Sequence, residues 1–201
     1  MTQSKVVGIT GGTGCGKTVL CRSLNECGAC VIDCDHISHA LMDTMADAIR
    51  GAFGDDVMDT SGAVTVDRQK LGALVFSDNN LIKKLNALMH PPIVKETISR
   101  LNGLKERGDG LIVIDAPLLV ETGLDSCCDA VWLVQACTER RIQYIQSRDN
   151  LTTEQALARI KSREDTAARF SRADLIIVNS GTADDLVRLA KELYHLYMEV
   201  E

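Results

Sequence analysis

Residues 11–18 read Gly11-Gly12-Thr13-Gly14-Cys15-Gly16-Lys17-Thr18, and this stretch decides how the rest of the chain is interpreted. It completes the pattern G-x-x-x-x-G-K-[ST], in which a glycine-rich loop wraps the phosphates of a nucleotide. Glycines allow successive backbone N–H groups to converge on one anion, and the N-terminus of a following helix adds its positive end. The chain is therefore expected to bind a nucleoside triphosphate.

The sequence on either side of this loop has the pattern that the motif requires. Val6-Val7-Gly8-Ile9-Thr10 is a β-branched run that predicts a buried strand, and Val19 and Leu20 begin a helical pattern. The loop is therefore predicted to join a strand to a helix. From such a turn Lys17 reaches the β- and γ-phosphates, and the Thr18 hydroxyl can ligate Mg²⁺.

Composition narrows the class of protein further. The 201 residues carry a formal net charge of −6, which argues against a general role on nucleic acids or membrane surfaces. Aromatic residues make up 3% of the chain, too few for a platform that stacks bases. No apolar run approaches the ~20 residues of a membrane-spanning helix, and a signal-peptide pattern is absent. We expect a cytoplasmic protein that is a monomer or a small homo-oligomer.

The chain has eight cysteines, which an acidic protein without a secretion signal is expected to keep as reduced thiols. Cys27-Gly28-Ala29-Cys30 has C-x-x-C spacing, but no second pair completes a zinc site. These two cysteines are expected to pack as small hydrophobic residues at a helix end and a strand start. Cys15 differs because it lies inside the phosphate loop, where its oxidation could block nucleotide binding.

Strand-like runs alternate with helical stretches along the chain, which predicts a doubly wound α/β fold with a parallel five-stranded sheet. The predicted strands are residues 6–10, 30–33, 111–115, 130–134 and 175–178. Two insertions exceed the usual length of a crossover: residues 36–109 with amphipathic helical patterns, and residues 138–170, which are charged and helical. The remaining core of this single domain is residues 1–35, 110–137 and 171–201.

Carboxylates follow two of the predicted strands. Ligands of open α/β sheets bind beyond the carboxyl ends of the strands, where Asp33, Asp35 and Asp115 are expected. One of these carboxylates could position Mg²⁺, and another could take the proton from an attacking hydroxyl. An aspartate at such a position can instead cap a helix, an alternative that is strongest for Asp35.

The second insertion is rich in arginine, and the first contains a His-Pro-Pro stretch. The arginines of the second insertion suit a lid that closes on a triphosphate, although most of them could simply form a solvated helical face. They are Arg140, Arg141, Arg148, Arg159, Arg163 and Arg169. His90-Pro91-Pro92 is expected to cap the helix that follows it, with the imidazole available to contact a substrate.

These features together resemble the dephospho-CoA kinase family over nearly the full length of the chain. The resemblance is carried by residues 8–18, by Val31-Ile32-Asp33-Cys34-Asp35 and by Leu88-Met89-His90-Pro91. Its most specific part is Asp115-Ala116-Pro117-Leu118-Leu119-Val120-Glu121-Thr122-Gly123-Leu124, followed by Arg148-Asp149 and Asn179-Ser180-Gly181. The fold of such kinases is the P-loop NTPase fold with an inserted helical substrate domain and a helical lid.

The resemblance implies transfer of the ATP γ-phosphate to the 3′-hydroxyl of the ribose of dephospho-CoA. It gives Asp33 the role of base, Lys17 and Arg148 catalytic roles, and Asn179 a place near the adenine. Nucleotide-binding residues are then 12–19 with Arg148 and Asn179, and Thr18 binds Mg²⁺ through ATP. Acceptor-binding residues are Asp33, Asp35, His90, Asp115 and Leu118. Relatives often carry Q-x-x-R where Arg141-Ile142-Gln143-Tyr144 stands, and a glutamine where Arg163 stands.

Two other functions remain possible at this point. A different small-metabolite or nucleoside monophosphate kinase would share the phosphate loop and lid but need another acceptor pocket. A non-catalytic nucleotide switch would bind ATP without phosphorylating an acceptor. The presence of both Lys17 and Asp33 favours an enzyme over a switch.

Overall fold

The computed structural model describes residues 4–59, 65–76, 78–161 and 167–199. Its strands are β1 Lys5–Thr10, β2 Cys30–Asp33, β3 Met58–Asp59, β4 Thr65–Val66, β5 Leu111–Asp115, β6 Ala130–Gln135 and β7 Leu175–Val178. Its helices are α1 Lys17–Glu26, α2 Cys34–Thr44, α3 Ala46–Phe53, α4 Arg68–Val75, α5 Asn79–Arg107, α6 Thr138–Asp149, α7 Thr153–Lys161, α8 Ala167–Arg172 and α9 Ala183–Glu199. Short 3₁₀ turns cover Asp55–Val57 and Leu124–Cys127.

The predicted five-stranded parallel sheet is confirmed, with strand order β2-β5-β1-β6-β7. All of its neighbouring strands run parallel, so their carboxyl ends lie along one edge. In the register of the sheet, Asp115 at the end of β5 is paired with Ile9 on one side and with Asp33 on the other. The two carboxylates predicted from separate strands therefore end neighbouring strands.

Helices and loops cover both faces of this sheet. On one face Val7 and Ile9 of β1 belong to a fully buried cluster with Leu20 and Leu24 of α1, and α9 packs against the same cluster. On the other face Gly8 leaves room for Leu119, whose Cδ2 would lie 2.5 Å from any Cβ at that position. Burial on both faces explains why the strands are apolar runs without alternation.

The chain divides into two compact units. The first contains Met1–Asp33 and Arg100–Glu201, and the second contains Cys34–Ser99. The second unit encloses its own hydrophobic core, in which Ile49, Leu71 and Met89 are buried. Its limits differ from those of the predicted insertion 36–109, because residues 34 and 35 belong to it and residues 100–109 belong to the first unit.

The expectation that His90-Pro91-Pro92 caps a helix is wrong. Both prolines lie inside the single helix α5, where each lacks the N–H that would bond four residues back. Leu88 and Met89 before the prolines and Ile93 after them pack on the core of the second unit. This packing on both sides keeps the segment helical despite the missing hydrogen bonds, and His90 is a mid-helix residue.

Within the part of the chain that the structure describes, none of the helices combines the length and hydropathy needed to cross a bilayer.

Candidate active site

The phosphate loop occupies residues 11–16, between the end of β1 and the start of α1. Gly14 and Gly16 have φ angles of 79° and 99°, a left-handed conformation that side chains other than glycine rarely adopt. Their surroundings are also closed to a side chain, since a Cβ at Gly16 would lie 2.5 Å from Nδ2 of Asn179. The loop directs the N-terminus of α1 at the space beyond the strands, as anion binding requires.

Two side chains from distant segments hold the backbone of this loop. Asn179, just beyond the end of β7, is buried and donates from Nδ2 to the Cys15 carbonyl over 3.0 Å. Arg141 of α6 donates from Nε to the Thr13 carbonyl over 2.8 Å. The Asn179 amide thus supports the loop, whereas the resemblance places that residue near adenine, which stays a prediction.

Lys17 and Asp115 form an ion pair at the carboxyl edge of the sheet. Their side chains are only 12% and 10% exposed, so the pair is largely shielded from water. Burial raises the pKa of the Asp115 carboxyl, and the nearby Lys17 ammonium only partly opposes that shift. Burial raises the pKa of the Cys21 thiol, one turn after Lys17, and the charge of the same carboxylate adds to that shift.

Asp33 ends β2 beside Asp115 and is exposed, in contrast to its buried neighbour. Adjacent strands lie about 4.8 Å apart, so both carboxylates border the same space beyond the sheet. An exposed carboxylate can receive a proton from a hydroxyl group that approaches from solvent, whereas a buried, paired one is better placed to hold a cation. The arrangement suits Asp33 to proton transfer and Asp115 to positioning Lys17.

The residues at this edge fit a magnesium ion that is carried by a nucleotide. Thr18 is exposed in the first turn of α1, and hydroxyl and carboxylate oxygens are the hard donors that Mg²⁺ prefers. Among the described residues there is no cluster of three or more His, Cys, Asp or Glu side chains able to hold a metal. Mg²⁺ commonly uses few protein ligands and takes substrate phosphates for the rest.

Arg148, predicted to contact the nucleotide, lies in the last turn of α6 and pairs with Asp149 at 2.9 Å. Asp149 also pairs with Arg159 of α7. The hydrogen bonds from Arg148 hold the pKa of Asp149 below its usual value, although the Arg148 side chain is 60% exposed. The structure therefore directs Arg148 toward Asp149. Arg163, another arginine of the predicted lid, lies outside the described residues.

The predicted acceptor-binding residues fall in both units. Asp35 lies in the first turn of α2 and His90 in α5, both within the unit Cys34–Ser99. Leu118 follows β5 in the other unit and is half-buried, and its carbonyl accepts a hydrogen bond from the Thr122 hydroxyl over 2.8 Å. Contact of these residues with an acceptor stays a prediction.

The cysteines are all free thiols, and Cys15 is 1% exposed. Its side chain belongs to the buried cluster under the sheet, so a dissolved oxidant has little access to it. The hypothesis that oxidation of Cys15 blocks nucleotide binding therefore lacks the exposure that it needs. Cys27 directly follows α1 and Cys30 begins β2, the places expected for them.

Two groups of functional interest are not distinguished by the sequence. Thr10 donates from its hydroxyl to the Pro117 carbonyl over 3.1 Å and so ties the loop after β5 to the end of β1. Arg169 of α8, 3% exposed, pairs with Glu121 in the same loop. Glu121 lies in the stretch that most specifically resembles the family, so the sequence gives a reason to single it out. Its partner Arg169 lies in a segment that has no recognisable motif.

A glycine-rich loop between β1 and α1, a lysine at the helix start and carboxylates on the adjoining strand ends define a P-loop phosphotransferase. The dephospho-CoA kinase family model matches residues 5–185. The chain belongs to the dephospho-CoA kinase family, as the sequence predicts, and is an ATP-dependent kinase of coenzyme A biosynthesis.

Individual relatives agree with this assignment. A dephospho-CoA kinase of Dehalococcoides mccartyi is 37% identical over 96% of this chain and 99% of its own length. A dephospho-CoA kinase of Geobacillus kaustophilus is 36% identical over 90% of this chain and 91% of its own length. Among solved structures, TT1252 from Thermus thermophilus matches with a TM-score of 0.80 and 28% identity, covering all of both chains.

Proposed function

We propose that the protein transfers the γ-phosphoryl group of Mg-ATP to the 3′-hydroxyl of dephospho-CoA through the residues at the carboxyl edge of its sheet. The observation that carries this assignment of roles is the pairing of β2 with β5, which sets exposed Asp33 beside Asp115 and its partner Lys17. We also propose that the protein works in the cytoplasm. Its oligomeric state, monomer or small homo-oligomer, stays a prediction.

ATP binds with its phosphates in the loop of residues 11–18. Backbone N–H groups at the start of α1 and the Lys17 ammonium attract the β- and γ-phosphates. Before the nucleotide arrives, Asp115 holds the Lys17 side chain at the edge of the sheet, so the lysine loses little conformational freedom on binding. Thr18 would hold Mg²⁺, which supplies neutralising charge to the phosphates when bound.

Asp33 acts as the general base. Its carboxylate takes the proton from the ribose 3′-hydroxyl while that oxygen forms a bond to the γ-phosphorus. The bond from the γ-phosphorus to the β,γ-bridging oxygen breaks, and ADP leaves with the electron pair. Lys17 neutralises charge on the phosphoryl oxygens during this exchange, which is the main catalytic need of a phosphoryl transfer.

The other predicted contacts complete the proposal. Asp35, His90 and Leu118 keep the acceptor-binding roles that the family resemblance implies. Helices α6 and α7 act as the lid. Arg148 exchanges its Asp149 partner for the nucleotide when the lid closes, since an exposed ion pair is weak enough to break at little cost.

An acceptor panel tests the proposed activity. Purified protein is incubated with Mg-ATP and, separately, dephospho-CoA, adenosine, AMP or shikimate, and ADP release is followed. We expect dephospho-CoA to be phosphorylated with a kcat/KM far above that of the others. Preference for another acceptor would support the small-metabolite kinase, and ATP binding with no transfer to any acceptor would support the switch. Asp33→Asn and Lys17→Ala serve as controls with strongly reduced turnover.

A further inference from the structure

Arg141 is a buried cation on α6 with an unsatisfied hydrogen-bond donor. The residue is 8% exposed, a degree of burial that arginine rarely reaches unless it is paired. Among the residues that the structure describes, its Nη2 atom is buried and has no hydrogen-bond partner. Buried polar atoms of native proteins are nearly always satisfied, so this atom requires an explanation.

The guanidinium of Arg141 lies against the phosphate loop. Its Nε donates to the Thr13 carbonyl over 2.8 Å. A Cβ added at Gly14 would lie 2.9 Å from the Arg141 carbonyl oxygen, so the backbone of α6 also packs directly on the loop. One edge of the guanidinium is thus used to hold the loop whose function is to bind an anion.

A polyphosphate chain is the partner that this arrangement lacks. Burying a cation is costly unless an opposite charge compensates it, and the cost is recovered when an anion binds. Guanidinium groups present several N–H donors in one plane, a geometry that matches phosphate oxygens. Arg141 contacts the loop at Thr13 and Gly14, within the stretch that we propose holds the nucleotide's phosphates.

We propose that Arg141 binds a phosphate oxygen of the nucleotide through Nη2 while its Nε holds the Thr13 carbonyl. It is then a nucleotide-binding residue of the lid in addition to Arg148, and it couples the position of α6 to the presence of phosphate. The proposal rests on the proposed function only in placing the nucleotide's phosphates in this loop. It does not depend on the identity of the acceptor.

The test measures nucleotide binding and stability separately, without an acceptor. The variants are Arg141→Gln, which keeps an N–H donor for Thr13 but removes the charge, and Arg141→Lys, which keeps the charge. Arg22→Gln is the matched control, because it removes an exposed arginine that is paired with Glu26 on α1. Calorimetry gives the Kd of Mg-ADP, and thermal unfolding gives the Tm without ligand.

We expect Arg141→Gln to raise the Kd of Mg-ADP by at least ~10-fold, because a charge-assisted hydrogen bond to phosphate is lost. Its ligand-free Tm should stay the same or rise, since an uncompensated buried charge is removed. Arg141→Lys should recover part of the affinity, and Arg22→Gln should change the Kd by less than about twofold.

A Kd for Arg141→Gln within about twofold of the wild-type value would overturn the proposal, and so would a fall in ligand-free Tm without a change in Kd. The latter result would make Arg141 a structural support of the loop. If the wild-type protein binds Mg-ADP but fails to phosphorylate dephospho-CoA, the proposed function fails while the Arg141 result still stands.

Discussion

Two ion pairs in this protein use the same chemistry in opposite environments. Lys17 and Asp115 pair at the edge of the sheet with side chains 12% and 10% exposed, whereas Arg148 and Asp149 pair at the end of α6 with side chains 60% and 22% exposed. Water screens the second pair more strongly than the first. The comparison indicates that the strand-end site, formed by Lys17, Asp33 and Asp115, is organised before the nucleotide binds. The charged groups of the lid can exchange partners.

The largest effect is expected from Asp33→Asn, which changes the strand-end site without altering its shape. An amide cannot accept the hydroxyl proton, so turnover at saturating substrates should fall about 10³-fold. The Kd of Mg-ATP should be nearly unchanged, because the phosphates are held elsewhere. Rapid-quench kinetics and calorimetry measure the two quantities. Lost ATP affinity with full transfer at saturation would mean that Asp33 is not the base.

Lys17→Ala should lower turnover at least ~10²-fold, because charge on the transferring phosphoryl group is no longer neutralised. It also leaves the buried Asp115 carboxylate without its lysine. The double variant Lys17→Ala/Asp115→Asn should therefore regain stability but no activity, as thermal unfolding and steady-state kinetics would reveal. Near-normal turnover in the single variant would contradict a preformed role for the pair.

Thr18→Val tests the magnesium assignment at the start of α1. Loss of the hydroxyl should raise the Mg²⁺ concentration for half-maximal activity by about tenfold, a typical cost of disturbing a metal site. Chelation with EDTA should abolish turnover in the wild type, and added Mg²⁺ should restore it. An unchanged Mg²⁺ requirement in Thr18→Val would remove this residue from the metal site.

The smallest effects are expected in the lid. Arg148→Gln should raise the KM for ATP by about fivefold, the range expected for one exposed charge. Arg159→Gln is the matched control, because it removes the other partner of Asp149, and it should change the KM by less than about twofold. Equal behaviour of the two variants would show that Arg148 has no special contact with the nucleotide.

Much of the strand-end site could be predicted from the sequence because it follows from backbone rules. The glycine pattern requires a strand-to-helix turn, and buried apolar runs predict strands whose carboxyl ends meet. Each predicted strand is present, to within a residue at its ends. The pairing of Asp33 with Asp115 depends on strand order, which the sequence alone does not determine.

The contacts of the lid arginines could not be predicted from the sequence in the same way. Its arginines share a charged helical pattern, and which of them turns inward depends on how α6 packs against the phosphate loop. Arg141 departs from the family pattern in sequence, but only tertiary contact with Thr13 distinguishes it from exposed Arg148. The helix through His90-Pro91-Pro92 could not be predicted from the sequence either. Proline disfavours a helix interior, and tertiary packing on both sides overrides that preference.

The most direct test of the proposed phosphoryl transfer is to determine where the γ-phosphoryl group goes. Wild-type protein is mixed with Mg-ATP and dephospho-CoA, and the product is examined by phosphorus NMR. We expect one equivalent of ADP and a new phosphate monoester on the ribose 3′-oxygen, with no such product from Asp33→Asn on the same timescale. ADP released to water without a phosphorylated acceptor, or a phosphate on another oxygen, would contradict it.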